Sequence, residues 1–319
     1  MKGLVVKSTG TSYIVYGEDG STTDCRVKGN FRIRGIRSTN PVAIGDYVEV
    51  VKGEDTAQGC ATHWITDICE RRNYIVRRST NLSHESHILA ANIDLAALMV
   101  TINHPKTSTT FIDRFLATCE AYRVPACVVF NKTDLLNGEE RQTLADLRAT
   151  YEHIGYRTYA ISALDTDGDD YRRLLEALGQ GVTLLSGNSG VGKSTLLNAV
   201  LGHEVTRTGT ISNAHNKGMH TTTFSEMYPL STQPPARAWL IDTPGIKGFG
   251  VLDMQREEVS HYFREIFQTG RECRYSDCLH IDEPHCAVCE AVKEGRIAFS
   301  RYESYLSMLG DITETKYRS

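Results

Sequence analysis

Gly187-Asn188-Ser189-Gly190-Val191-Gly192-Lys193-Ser194 follows an apolar run, Val182–Ser186, and opens an amphipathic one, Lys193–Leu201. The string fits G-x-x-x-x-G-K-[ST] with a strand before it and a helix after it. That context commits this part of the chain to an α/β fold, because the loop works only where a strand hands over to a helix. Its glycines let backbone N–H groups turn inward around phosphate oxygens, and the helix N-terminus adds the positive end of its dipole. In such a loop Lys193 neutralises the β- and γ-phosphates and Ser194 offers its hydroxyl to Mg²⁺, with Thr195 next in the same turn. The loop alone does not separate GTP from ATP.

Asn131-Lys132-Thr133-Asp134 makes that distinction. It follows the apolar strand Val128-Val129-Phe130, at the carboxyl end where open α/β sheets bind ligands. The Asp134 carboxylate can accept from guanine N1–H and from the exocyclic amine, a donor pair that adenine lacks. Asn131 is expected to tie this loop to the phosphate loop, and the Lys132 stem to cover the base. Ser162-Ala163 follows Tyr159-Ala160-Ile161 and fits the short S-A element that backs guanine. Asp242-Thr243-Pro244-Gly245 follows Ala238-Trp239-Leu240-Ile241, which places Asp242 to hold Mg²⁺ through water and the Gly245 amide to meet the γ-phosphate. Between the phosphate loop and Asp242-Thr243-Pro244-Gly245 lies Lys217-Gly218-Met219-His220-Thr221-Thr222-Thr223. One of its threonines supplies a further magnesium ligand; Thr222 is assigned, with Thr221 and Thr223 as rivals.

The order of these motifs is itself informative. Ras-like enzymes run phosphate loop, threonine, D-x-x-G, N-K-x-D, S-A; here N-K-x-D and S-A come first. Each motif still ends its own strand, so a circularly permuted connection can build the same site. The switch elements then lead straight into whatever follows residue 250, and nucleotide state can act on that region.

With 319 residues the chain is long enough for two or three domains. Residues 1–68 read as short strands, Leu4–Ser8, Ser12–Tyr16, Ser21–Val27 and Tyr47–Val51 among them, with turns at Gly17–Gly20 and Ile44–Asp46. A small β-barrel is expected, OB-fold or SH3-like. Residues 69–250 alternate strands and helices and predict a mainly parallel sheet covered on both faces. Residues 251–319 read as polar and helical. No run of eighteen apolar residues occurs, and Met1–Ser8 returns to charge too soon for a signal-peptide core, so a cytoplasmic protein without membrane contact is expected.

Four of the nine cysteines, Cys273, Cys278, Cys286 and Cys289, fall close together, and Cys273, Cys278, His280 and Cys286 stand in C-x4-C-x-H-x5-C spacing. Three thiolates and an imidazole make a closed tetrahedral set suited to one structural Zn²⁺. Exchanging His280 for Cys289 gives four thiolates, and His285 is a further possible ligand. Net charge is −4, so any nucleic-acid contact has to be local. Arg26, Lys28, Arg32, Arg34 and Arg37 crowd one acid-free segment around Phe31, which reads as a solvated basic hairpin or as a phosphate-tracking stripe with a stacking ring.

The permuted order, G-x-S-G-V-G-K-S, H-T-T-T, the preceding barrel and the trailing cysteines together resemble the RsgA (YjeQ) family of small-ribosomal-subunit biogenesis GTPases. The resemblance covers essentially the whole chain. It implies a circularly permuted P-loop GTPase domain, an OB-fold before it and a mainly helical zinc-binding domain after it. It selects Cys273, Cys278, His280 and Cys286 as zinc ligands and favours ribosomal RNA as the partner of the basic segment. It further implies a monomer that binds GTP and GDP, with hydrolysis stimulated by the small subunit during its late maturation. Ile246 stands where Ras-like enzymes keep the glutamine that orients water, so intrinsic hydrolysis should be slow. His220 is the local candidate for that task, in competition with an element supplied by the partner. A nucleotide-switched RNA-binding module with negligible turnover is the rival reading.

Overall fold

The computed structural model describes residues 1–9, 12–27, 41–55, 61–78, 86–204, 226–231, 234–242 and 254–316. Among the described residues, the first strands are β1 (Lys2–Ser8), β2 (Tyr13–Gly17), β3 (Thr22–Val27), β4 (Tyr47–Asp55) and β5 (Ala61–Ile68). β1, β2 and β3 form an antiparallel meander, β3 pairs parallel with β5, and β4 joins β5 back to β1. The ring closes as an OB-type barrel around Val5, Tyr13, Val15, Cys25, Val48, Val50 and Ile65. Strand β5 was not among the strands named from sequence. Its Thr-His-Trp-Ile-Thr-Asp core carries too few apolar residues for a clean alternation, although Ile65 is fully buried.

A second hairpin, β6 (Tyr74–Arg78) with β7 (Ser86–Ala91), is also new relative to the sequence reading. The α/β unit follows: β8 (Leu95–Val100), α1 (Thr109–Ala121), β9 (Ala126–Phe130), α2 (Gly138–His153), β10 (Arg157–Ala160), α3 (Asp169–Leu178), β11 (Val182–Ser186), α4 (Lys193–Leu201), β12 (Glu226–Pro229) and β13 (Trp239–Asp242). Its sheet runs β10-β9-β8-β11-β13-β12, parallel throughout except for the β13–β12 pair. Every residue of β8, β9 and β11 is buried, as expected for strands covered on both faces. From β8 the chain moves outward to β9 and β10, then returns to β11 on the other side of β8. A crevice therefore opens at the carboxyl ends of β8 and β11, the place where such sheets bind ligands.

Beyond residue 253 come a 3-10 segment (Arg256–Tyr262), α5 (Arg264–Gly270), α6 (Ala287–Lys293) and α7 (Phe299–Lys316). Val259, Phe263, Ile266, Val288, Tyr305, Met308 and Leu309 share one core with Ala117 of α1, so this unit packs against the α/β unit. A buried ion cluster fixes the contact. Arg301, 1% exposed, donates to Asp113 of α1 at 2.8 Å and to Glu265 of α5 at 2.6 Å, and Tyr151 of α2 donates to Asp113 at 2.9 Å. Removing one member of such a cluster strands a desolvated charge. Arg301→Met is therefore expected to lower unfolding stability by about 3 kcal/mol, read in a urea titration; an unchanged midpoint would deny the cluster its structural role. Among the described residues no helix is long and apolar enough to cross a membrane.

Candidate functional site

The phosphate loop leaves β11 at Gly187 and enters α4 at Lys193. Two of its glycines are required by neighbours. Gly187 has φ +148°, and a Cβ there would lie 2.3 Å from the Met99 carbonyl oxygen of β8. Gly192 has φ +104°, and its Cβ would lie 2.3 Å from Asn131 Nδ2. The loop is thus shaped by β8 on one flank and by the base motif on the other. Lys193 Nζ donates to the Gly187 and Asn188 carbonyls at 2.7 and 2.9 Å. Burial holds this ammonium below its usual range, against the opposing pull of Asp242.

Asn131 is buried, and both ends of its amide are used. Nδ2 donates to the Val191 carbonyl at 2.8 Å, while Oδ1 accepts from the Ala163 N–H at 2.8 Å. One side chain thereby joins the phosphate loop, the base motif and the S-A element. Lys132 adopts φ +62°, a left-handed conformation uncommon for lysine. Its Nζ donates to the carbonyls of Gly190 at 2.7 Å and His104 at 2.6 Å. Asp134 lies exposed in the 3-10 turn Thr133–Leu135 that follows. Ser162 and Ala163 are buried directly after β10. The loop after β8 was not anticipated from sequence: the His104 carbonyl anchors Lys132, and Pro105 would lie 3.5 Å from a Cβ on Gly190. Its position at the end of a buried strand beside the crevice was the available signal.

Asp242 ends β13, in register with Leu185 of β11. Its Oδ1 is buried with no hydrogen-bond partner among the described residues, and burial pushes the carboxyl up to about 6 against the pull of Lys193. An orphaned carboxylate oxygen beside the phosphate loop suits a hard divalent cation such as Mg²⁺. His220, Thr221, Thr222, Thr223, Gly245 and Ile246 lie outside the described residues.

Cys273, Cys278, His280 and Cys286 bring one ligand atom each to within 4.8 Å of one another. His280 Nδ1 is 3.5 Å from both Cys273 Sγ and Cys286 Sγ, which are themselves 3.9 Å apart. Tetrahedral zinc, with Zn–S about 2.3 Å and Zn–N about 2.0 Å, has sulfur–nitrogen edges of about 3.5 Å and sulfur–sulfur edges of about 3.8 Å. The cluster is compatible with that geometry. Burial keeps His280 below its usual pKa, hence neutral and able to ligate. Burial also pushes the Cys286 thiol up, a tendency that a bound metal reverses. The rival Cys289 turns its thiol to the His280 and Ile281 carbonyls at 3.6 and 3.5 Å, and His285 is exposed. Of the basic segment only Arg26 is described; it is exposed on β3, while Lys28, Phe31, Arg32, Arg34 and Arg37 lie outside.

A phosphate loop bound by Asn131 to a base motif that precedes it in sequence defines a circularly permuted P-loop GTPase. The RsgA GTPase family model matches residues 68–252, and the RsgA N-terminal domain model matches residues 2–60. The chain belongs to the RsgA family and is a GTP hydrolase. It is 55% identical to the small ribosomal subunit biogenesis GTPase RsgA of Phocaeicola vulgatus, an alignment covering 100% of this chain and 99% of the relative. It is 53% identical to the protein of that name from Porphyromonas gingivalis strain W83, with coverage of 100% and 99%. YjeQ from Thermotoga maritima superposes with a TM-score of 0.74 at 31% identity, over 98% of either chain. YloQ, a circularly permuted GTPase, gives 0.73 at 25% identity, over 98% of this chain and 95% of its own.

Proposed function

We propose that this chain is a cytoplasmic, monomeric GTPase that binds the small ribosomal subunit and its rRNA, assists late maturation of that particle, and hydrolyses GTP with stimulation by it. The observation that carries the nucleotide half is the Asn131 bridge between Val191 and Ala163, which holds the three nucleotide elements in one site. The names of full-length relatives more than half identical to this chain support the ribosomal half. Residues 1–68 act as the RNA-binding barrel, 69–250 as the GTPase domain and 251–319 as the zinc-binding helical domain. Family membership favours turnover over a purely nucleotide-switched binding module.

Asp134 reads guanine, the Lys132 stem covers it, and Ser162 and Ala163 back it. Gly187 through Thr195 wrap the phosphates, with Lys193 moving from the loop carbonyls onto phosphate oxygens. Magnesium, held by Ser194, Asp242 and Thr222, would neutralise charge on the β- and γ-phosphates. The Gly245 amide meets the γ-phosphate. Zinc at Cys273, Cys278, His280 and Cys286 serves structure only. Arg26, Lys28, Arg32, Arg34 and Arg37 track RNA phosphates, with Phe31 stacking on a base.

Ile246 can neither orient nor polarise water, so the attacking water relies on His220 in the subunit-bound state. His220→Ala is expected to lower subunit-stimulated turnover by about a hundredfold or more with GTP affinity unchanged. Stimulated turnover that survives the substitution would transfer the role to the ribosomal partner.

A further inference from the structure

The barrel is continuous with the GTPase sheet. β1 pairs with β12 at one bridge, Lys7 opposite Glu226, and Lys7 Nζ donates to Glu226 Oε1 at 2.9 Å. Glu226 in turn lies opposite Asp242 across the β12–β13 ladder. Side chains paired this way share a face at about 5 Å, and like charges directly opposite repel. Lys7, Glu226 and Asp242 therefore form one row, cation, anion, anion, running from the barrel into the phosphate side of the nucleotide site. The far end of the same hairpin is also held. Tyr16 Oη of β2 accepts from the Ala236 N–H at 2.9 Å, and its ring meets Trp239 edge-on with centroids 4.9 Å apart. Leu4, Val6 and Tyr16 belong to the same apolar cluster as Met227, Trp239 and Ile241, so the contact has a dry base beneath its polar ties.

We propose that Lys7 and Tyr16 are positioning residues for the GTPase reaction: from outside the GTPase sheet they fix the β12–β13 hairpin and thereby the placement of Asp242. Lys7 ties Glu226 to β1 from the side away from Asp242, so the end of β12 that faces Asp242 is held against the barrel. Tyr16 locks the opposite end, so the hairpin cannot slide or tilt against the barrel. Anything that shifts the barrel then acts on the phosphate side of the site, while the base side, built from β9, β10 and their loops, is untouched. The inference rests on the reading of Asp242 as the magnesium-side carboxylate.

The test uses the full chain with Lys7→Met and Tyr16→Phe combined, Lys7→Arg as the conservative control, and Asp242→Asn alongside. The double variant should lower single-turnover kcat by about fivefold, the scale of one exposed ion pair and one hydrogen bond, with KM for GTP and affinity for GDP held within about twofold. In a Trp64→Phe background without nucleotide, it should also raise acrylamide quenching of Trp239, whereas Lys7→Arg should match the parent in both readouts. A kcat within twofold of the parent, or a KM that rises in step with its fall, overturns the proposal. So does unchanged Trp239 quenching. If Asp242→Asn leaves the magnesium dependence of GTP binding unaltered, the reading of Asp242 fails and takes this inference with it. A normal Asp242→Asn loss beside a silent barrel variant refutes the barrel's role alone.

Discussion

Asp134→Asn is expected to weaken GTP binding by about a thousandfold to ten-thousandfold while leaving the folded chain as stable as before. The carboxylate offers two acceptors to the guanine N1–H and exocyclic amine, and hydrogen bonds to a charged group contribute about 1.5–3 kcal/mol each. An asparagine keeps one acceptor but turns an NH₂ donor toward the amine, so one bond is lost and a donor faces a donor. Xanthine carries a carbonyl where guanine carries that amine, so the variant should gain affinity for XTP as it loses GTP. Stability should be spared because Asp134 is exposed at the mouth of the site. Neighbouring Asn131 is the opposite case: buried and bonded at both ends, its loss would dismantle the loop itself. Equilibrium titration with fluorescent GTP and XTP checks the prediction. Undiminished GTP affinity would remove Asp134 from base recognition.

Cys286→Ser should cost the C-terminal unit its zinc and its fold together. Cys286 is 2% exposed, stands 3.5 Å from His280 Nδ1, and caps α6 by accepting from the Cys289 N–H. A structural zinc site contributes on the order of 10 kcal/mol to the domain that holds it, more than the margin by which most domains are stable. The variant is expected to contain no stoichiometric zinc by elemental analysis and to lose protease resistance across residues 254–316. Cys289→Ser should keep its zinc, because that thiol already points to backbone carbonyls. Zinc lost from Cys289→Ser but retained in His280→Ala would reverse the ligand assignment.

Where residues are brought together by local spacing, the sequence was legible. The phosphate loop and the C-x4-C-x-H-x5-C set each declare a short-range geometry, and Asn131 was legible through its motif although its partners lie 60 and 32 residues away; the structure brings each set together. The choice of His280 over Cys289 was not readable from spacing, since both complete a tetrahedron on paper; the resemblance favoured His280, and the approach of its Nδ1 to two thiols and the turned-away Cys289 thiol support that choice. Long-range partners that no motif marks were likewise invisible. Nothing in Arg301 announces Asp113, 188 residues away, and nothing in Lys7 announces Glu226, 219 residues away. Strand β5 escaped because a small barrel buries only alternate positions, and its polar positions mask the period. The Arg301 cluster also qualifies the expectation that nucleotide state moves the C-terminal region. That unit is keyed to α1 and α2, on the base side of the sheet, and a swing would have to break a buried ion cluster.

A guanine-specific site completed by a ribosomal partner should hydrolyse GTP fast only when that partner is present. Single-turnover hydrolysis of GTP, measured alone, with purified small subunits and with purified large subunits, tests it most directly. Slow turnover alone, strong acceleration by small subunits only, and no comparable turnover of ATP are the predicted results. Equal rates under all three conditions, or ATP turned over as readily as GTP, would contradict the account.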